Sequence, residues 1–229
     1  LFLTDSRYTL IAKQSVHGFD IIESKDPLKD IVKIIEADNL ETIGFDNQVS
    51  FAYYQGLQAI FEGYTLSPQS NFMEELRMIK DEKELATIRK ACSISDRAFT
   101  DVLDFIKPGQ TTELQVANFL DFRMREYGAS GISFESIIAS GYRSAMPHGV
   151  ASEKVIQSGE TLTMDFGCYY NHYVSDMTRT IHIGDTTDEE REIYDIVLRS
   201  NQALIDAAKA GMTRRDYDKV ARDVIVEAG

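Results

Sequence analysis

The apolar positions change period several times along the chain, and each change marks an element. In Thr161-Leu162-Thr163-Met164-Asp165-Phe166-Gly167, polar and apolar residues alternate. That is the period-2 pattern of a half-buried strand. Ser175-Asp176-Met177-Thr178-Arg179-Thr180 alternates in the same way. The segment between them, Cys168 to Tyr173, is short enough for a hairpin. Upstream, Leu85, Ile88, Cys92, Ser95, Phe99, Val102 and Ile106 recur at spacings of three and four. This predicts a long amphipathic helix, stopped at Lys107-Pro108-Gly109. A second helix opens at Thr112, where Gln115 completes a capping box, and runs towards Gly128. Thr187 and Glu190 form another capping box, opening a helix through Ala210. A last helix runs to Gly229. Lys107-Pro108-Gly109-Gln110-Thr111 is echoed by Lys209-Ala210-Gly211-Met212-Thr213. The helix–turn–helix order therefore recurs, yet strands follow only its first copy. Such a repeat predicts a second set of strands beyond Gly229.

Before this region, short apolar runs alternate with helical stretches. Leu1–Leu3, Phe19–Ile22 and Thr42–Phe45 read as strands. Ser6–Gln14, Pro27–Glu36 and Asn47–Phe61 read as helices, with Asp26-Pro27 as a helix start. This order implies a small α/β domain. Ser67-Pro68-Gln69-Ser70-Asn71 has the composition of a linker. The expected division is thus an N-terminal α/β domain over 1–70 and a second domain over 71–229. The chain opens on Leu1 rather than Met, already inside an apolar run, which points to a chain cut at its N-terminus.

Charge narrows the choice of partners. The 229 residues carry a formal net charge of −13. An acidic chain argues against nucleic acid, which requires a basic patch. No apolar run approaches the roughly 18 residues of a membrane helix, and no signal peptide opens the chain. Two cysteines, Cys92 and Cys168, do not make a disulfide framework, and reduced thiols in a cytoplasmic protein are expected.

The candidate chemistry lies in the hairpin. A turn centred between Tyr170 and Asn171 would set Asp165 directly opposite Asp176, Thr163 opposite Thr178, and Met164 opposite Met177. Like charges placed face to face are destabilising, so the pair needs a cation between them or a shared proton. A divalent metal is the favoured answer, and a proton-sharing pair is the alternative. His148 lies just ahead of these strands, in a loop shaped by Gly141, Pro147 and Gly149. An imidazole beside a metal can bind substrate or move a proton. His182 shares the face of Asp176 but lies too far along the strand to join the same metal. His172 sits at the hairpin tip and His17 in a turn of the first domain. Thr163 and Thr178 either hydrogen-bond near the carboxylates or express ordinary strand preference. Arg179 points to the opposite face, in a structural role. Two carboxylates and a histidine do not complete a dinuclear site, because each ion takes four to six ligands.

These residues resemble a known family. The runs Gly141…Ser144-Ala145-Met146-Pro147-His148-Gly149, Met164-Asp165-Phe166-Gly167 and Ser175-Asp176-Met177-Thr178-Arg179-Thr180 look like the pita-bread metallopeptidases. The match is closest to bacterial Xaa-Pro aminopeptidases and Xaa-Pro dipeptidases (prolidases). Thr4-Asp5-Ser6-Arg7-Tyr8 resembles a motif of their creatinase-like N-terminal domain. The resemblance implies a creatinase-like α/β domain followed by an incomplete α+β pita-bread domain. It implies that Asp165 is a bidentate ligand of one metal, that Asp176 bridges two metals, and that His148 contacts substrate. It also implies a later histidine and two glutamates as ligands, none of which lies within the 229 residues. The expected function, in a full-length parent, is hydrolysis of the peptide bond preceding proline with two divalent ions. These are Mn²⁺ by resemblance, with Co²⁺ or Zn²⁺ as alternatives. The substrate would be a proline-containing peptide and the assembly a homodimer. Residues 1–229 alone are expected to be inactive. The rival reading is a non-catalytic pita-bread protein serving as a binding module.

Overall fold

The computed structural model describes residues 1–229, which divide into two compact units, Leu1–Ile79 and Lys80–Gly229. The division falls at Ile79 rather than at residue 70. The expected linker is instead a strand, because Ser67–Gln69 extends beside Thr42–Asp46. Pro68 is tolerated there since it lies in one strand of a two-stranded sheet, where an absent N–H costs no second ladder.

The first unit alternates β1 (Phe2–Thr4), α1 (Thr9–Ser15), β2 (Ile21–Glu23), α2 (Pro27–Ala37), β3 (Thr42–Asp46), α3 (Phe51–Ile60), β4 (Thr65–Gln69) and α4 (Phe72–Met78). β1 pairs in parallel with β2, and β3 with β4. Crossovers of this kind need an intervening helix, which α1 and α3 supply. Asp26 caps α2 by accepting from the Lys29 N–H, with Pro27 in the first helical turn. Ser50 caps α3 through the Tyr53 N–H, so that helix starts at Phe51 rather than Asn47. Ile35, Leu57 and Phe61 form the core, packed by Ile31, Ile43, Phe45 and Leu66.

The second unit opens with α5 (Glu82–Phe105) and α6 (Glu113–Glu126). Capping boxes fix both starts, Asp81 with Glu84 and Thr112 with Gln115. The buried stripe of α5 runs through Ala91, Ile94, Ser95, Ala98 and Val102. Cys92, expected on that stripe, is exposed. Close helix packing selects small residues at the seam, and two alanines occupy it. Then come β5 (Gly131–Ile132), β6 (Ile137–Ser140), a 3₁₀ turn (Gly141–Ala145), β7 (Glu160–Phe166), β8 (Cys168–Tyr170), β9 (Tyr173–Val174) and β10 (Met177–Ile183). They form two three-stranded sheets, in the orders β10-β7-β6 and β5-β8-β9. Leu162, Met164 and Phe166 are wholly buried among Ile94, Ala98, Leu120 and Met124. Each contributes about 1.5–3 kcal/mol by burial. The alternation of β7 thus sends its even residues to the core and leaves Thr161, Thr163 and Asp165 on the other face. Two further helices, α7 (Asp188–Ala207) and α8 (Arg214–Glu227), pack on each other. Thr187 with Glu190 caps α7, which ends at Ala207 rather than Ala210.

Candidate metal centre

The hairpin turns on Asn171 and His172, both left-handed at φ 45° and 68°. Two consecutive positive φ values make the primed type of two-residue turn, which matches the strand twist. The turn lies one residue later than expected, so every pair shifts by two. Asp165 stands opposite Thr178, Met164 opposite Arg179, and Thr163 opposite Thr180. Asp176 is the diagonal neighbour of Asp165 on the same face. The two like charges escape direct opposition, which is the costlier arrangement. The Thr178 hydroxyl donates to Asp165 Oδ1 at 3.0 Å, and Thr163 and Thr180 hydroxyls meet at 3.3 Å.

A bend places Asp176. Between β7 and β8 the strand leaves one sheet for the other at Gly167, which is buried. A Cβ there would lie 2.0 Å from the Ser175 carbonyl oxygen and 2.5 Å from Ser133 Oγ. Only glycine permits this approach. Ser175, just before Asp176, is anchored inward: its hydroxyl lies 2.7 Å from that of Ser95 and accepts the Cys168 N–H at 3.0 Å. A buried serine chain therefore holds the backbone while the following aspartate faces out.

His148 arrives from the loop between β6 and β7. Gly149 N–H donates to the Met146 carbonyl and Val150 N–H to the His148 carbonyl. Val150 then bridges Ile137, returning the chain to the start of β6. His148, Asp165 and Asp176 share one depression of about 460 Å³ with Phe134, Glu135, Ile137 and Val150. The structure thus gathers all three sequence-predicted site residues.

Residues 86–229 match the metallopeptidase family M24, and residues 1–79 match the creatinase/prolidase N-terminal domain. The chain belongs to metallopeptidase family M24. An uncharacterized peptidase, YqhT, of Bacillus subtilis is 41% identical over 230 residues, spanning 100% of this chain and 65% of that protein. An Xaa-Pro dipeptidase of Pyrococcus furiosus is 35% identical over 229 residues, 100% of this chain and 64% of that protein. Among solved structures, an Xaa-Pro dipeptidase from Bacillus anthracis superposes with a TM-score of 0.94 at 39% identity. It covers 99% of this chain and 64% of that one. An X-Pro aminopeptidase from Thermotoga maritima gives 0.93 at 38%, covering 99% and 65%. The fold is therefore a creatinase-type N-terminal domain with part of an M24 pita-bread domain, and the chain spans 64–65% of these relatives' length.

The donor set suits a hard divalent cation of the kind an M24 site would hold. Asp165 accepts only the Thr178 hydroxyl, and no side chain neutralises Asp176. Carboxylate oxygens with free lone pairs are what Mn²⁺ or Mg²⁺ prefers. They supply part of a shell: no group of three or more His, Cys, Asp or Glu is arranged to hold a metal ion. His182 stands apart from this depression, with Nε2 2.7 Å from the Asp185 carbonyl. His172 is confined to the turn, and Arg179 bonds the Thr178 carbonyl at the surface. Two carboxylates at or beneath this depression carry no mark in the sequence. Glu135 is an exposed carboxylate lining the depression, with no periodic signal to mark it. Glu113 is wholly buried beneath the His148 loop. A glutamate at a helix start reads as an ordinary partner for the helix dipole, which hides its hydrogen bonds to Ser140, Arg143 and Ser152.

Proposed function

We propose that the protein carrying this chain hydrolyses the peptide bond preceding proline in a metal-dependent reaction, as an Xaa-Pro dipeptidase or aminopeptidase. The observation that carries this reading is the meeting of Asp165, Asp176 and His148 in one depression of an M24 chain. The relatives' names supply the substrate class. Two Mn²⁺-type ions bound there would supply an acidified water and polarise the scissile carbonyl. Asp165 and Asp176 would furnish carboxylate oxygens, with Thr178 fixing the orientation of Asp165. His148 is exposed and within the depression, so it can donate a hydrogen bond to the substrate carbonyl as charge develops there, or carry a proton to the leaving nitrogen.

Two carboxylates leave each ion mostly water-coordinated, so residues 1–229 alone should bind metal weakly and show no turnover. The remaining ligands would come from the third of the relatives' length that this chain does not span. Both cysteines are free, which supports a reducing, cytoplasmic setting. No helix is long and apolar enough to cross a membrane. A homodimer belongs to the same proposal.

The test is hydrolysis of Xaa-Pro and Xaa-Ala peptides by full-length protein and by residues 1–229, with Mn²⁺ and after chelation. We expect proline-selective cleavage by the full-length protein, lost on chelation, and none by 1–229. Full-length protein that binds the peptides without cleaving them would favour a binding module instead. Chelator-resistant cleavage would overturn the metal role, and normal turnover by 1–229 would overturn the ligand count.

A further inference from the structure

We propose that Glu113 is the positioning residue for His148, a buried carboxylate that closes the base of the loop carrying it; this rests on the role given to His148 above. Glu113 is the first residue of α6 and is 0% exposed. Its Oε1 accepts from the Ser140 N–H at 2.7 Å and the Ser140 hydroxyl at 2.9 Å, where β6 ends and the loop begins. Its Oε2 accepts from Arg143 Nε at 2.9 Å, inside the loop. The same oxygen accepts from the Ser152 hydroxyl at 2.6 Å and the Ser152 N–H at 3.2 Å, where the loop ends. Arg143 then donates to the Val150 carbonyl at 2.6 Å, two residues beyond His148.

One carboxylate therefore grips the entry, the interior and the exit of the His148 loop. The backbone of α6 reinforces the grip. Glu113 N–H donates to the Lys154 carbonyl at 3.0 Å and Leu114 N–H to the Ser152 carbonyl at 2.9 Å. The helix N-terminus favours a negative charge at this position. A buried ion pair is weak evidence for stability, since apolar packing can do as well. What apolar packing cannot do is bind five donors from three separate points of a loop. Tyr142, Met146, Pro147 and His148 are exposed, and only Gly149 is buried at the tip, against Ala139, so little side-chain packing holds the loop that carries His148. Its base holds it.

The test compares full-length wild type with Glu113→Gln, His148→Ala and the double variant. Turnover of an Xaa-Pro dipeptide, metal content, and amide exchange at Gly149 and Val150 are measured. Glu113→Gln should speed exchange at both amides by tenfold or more and lower kcat by about 10–100-fold, the scale of a small misplacement of a reacting group. Metal should stay bound. The double variant should lose no more than His148→Ala, because Glu113 acts through His148. A double variant that loses the full Glu113→Gln factor again would show a general structural role and overturn the inference. So would unchanged exchange, or unchanged kcat in folded Glu113→Gln. Normal turnover in His148→Ala would instead overturn the role of His148, a separate result. If Glu113→Gln fails to fold, Ser152→Ala replaces it in the same cycle, removing the 2.6 Å donor. It should cost several-fold in kcat with the same non-additivity, and wild-type kcat there would overturn the inference.

Discussion

Replacing Gly167 by alanine adds one methyl group at the bend that presents Asp176. The new Cβ would sit 2.0 Å from the Ser175 carbonyl oxygen and 2.8 Å from its carbon. Ordinary C···O approaches begin near 3.3 Å, so the oxygen would have to retreat by about 1.3 Å. That oxygen accepts from Ser133 Oγ at 2.9 Å, and the Gly167 carbonyl accepts from the Ser133 N–H at 3.0 Å. Ser175 is also held by Ser95 and by the Cys168 carbonyl, so it cannot move alone. Overpacking costs about 1–3 kcal/mol, and one disrupted buried hydrogen bond adds about 1 kcal/mol. Together they predict a loss of about 2–4 kcal/mol. The chain contains no tryptophan, so urea unfolding is best followed by far-ultraviolet circular dichroism. Amide exchange at Cys168 and Ser175 reports the bend itself. A lower midpoint at constant slope, with faster exchange at both amides, is expected. A change within about 0.5 kcal/mol, the range of neutral surface substitutions, would refute the close-approach argument.

Two further outcomes follow from local geometry. Burial raises the Glu160 carboxyl, but the Lys154 ammonium bonded to both its oxygens, together with the Gln157 N–H and the Ser140 hydroxyl, brings it below the ordinary 4.5. A folded value below the unfolded one stabilises the protein above about pH 4.5 and loses that contribution as pH falls through the folded value. Wild type should therefore lose more urea resistance than Lys154→Met between about pH 6.5 and pH 3.5; equal losses would contradict the pairing. Gly56 lies inside α3 with nothing within 4 Å of an added Cβ. Gly56→Ala should stabilise the first unit by about 0.5–1 kcal/mol, read as slower amide exchange in α3, and a destabilised α3 would contradict it.

Much of this was legible in the chain because period and caps agree. Asp26-Pro27, Thr112 with Gln115, and Thr187 with Glu190 each mark a helix start that the structure reproduces. The hairpin pattern and the loop ahead of it single out Asp165, Asp176 and His148, and all three line one depression in the structure. The register was not. Asn is among the few residues that accept a left-handed backbone, and Asn171 therefore opens the turn rather than closing it. Placing the turn one residue early set Asp165 against Asp176 instead of Thr178. Pro68 hid β4, since proline in a strand reads as a break until the strand is known to lie at an edge. Large residues dominate a periodicity, so the expected stripe of α5 runs through Cys92, whereas tight packing selects Ala91 and Ala98. Glu113 was invisible for a different reason. Its partners Ser140, Arg143 and Ser152 are distant in sequence, and nothing local distinguishes a buried carboxylate from a solvated one at a helix start.

Asp165 and Asp176 are proposed to hold divalent metal for hydrolysis. The direct measurement is bound Mn²⁺ per protein, with Xaa-Pro turnover, in full-length wild type, Asp165→Asn and Asp176→Asn. Asparagine keeps the shape and removes the charge that binds the ion. Losing a supporting group of a metal ligand costs roughly 10–100-fold in affinity or activity, and losing a ligand charge should cost at least as much. Metal content and turnover should therefore fall together in both variants while the fold is retained. Full metal occupancy in a folded Asp165→Asn or Asp176→Asn protein would contradict the assignment.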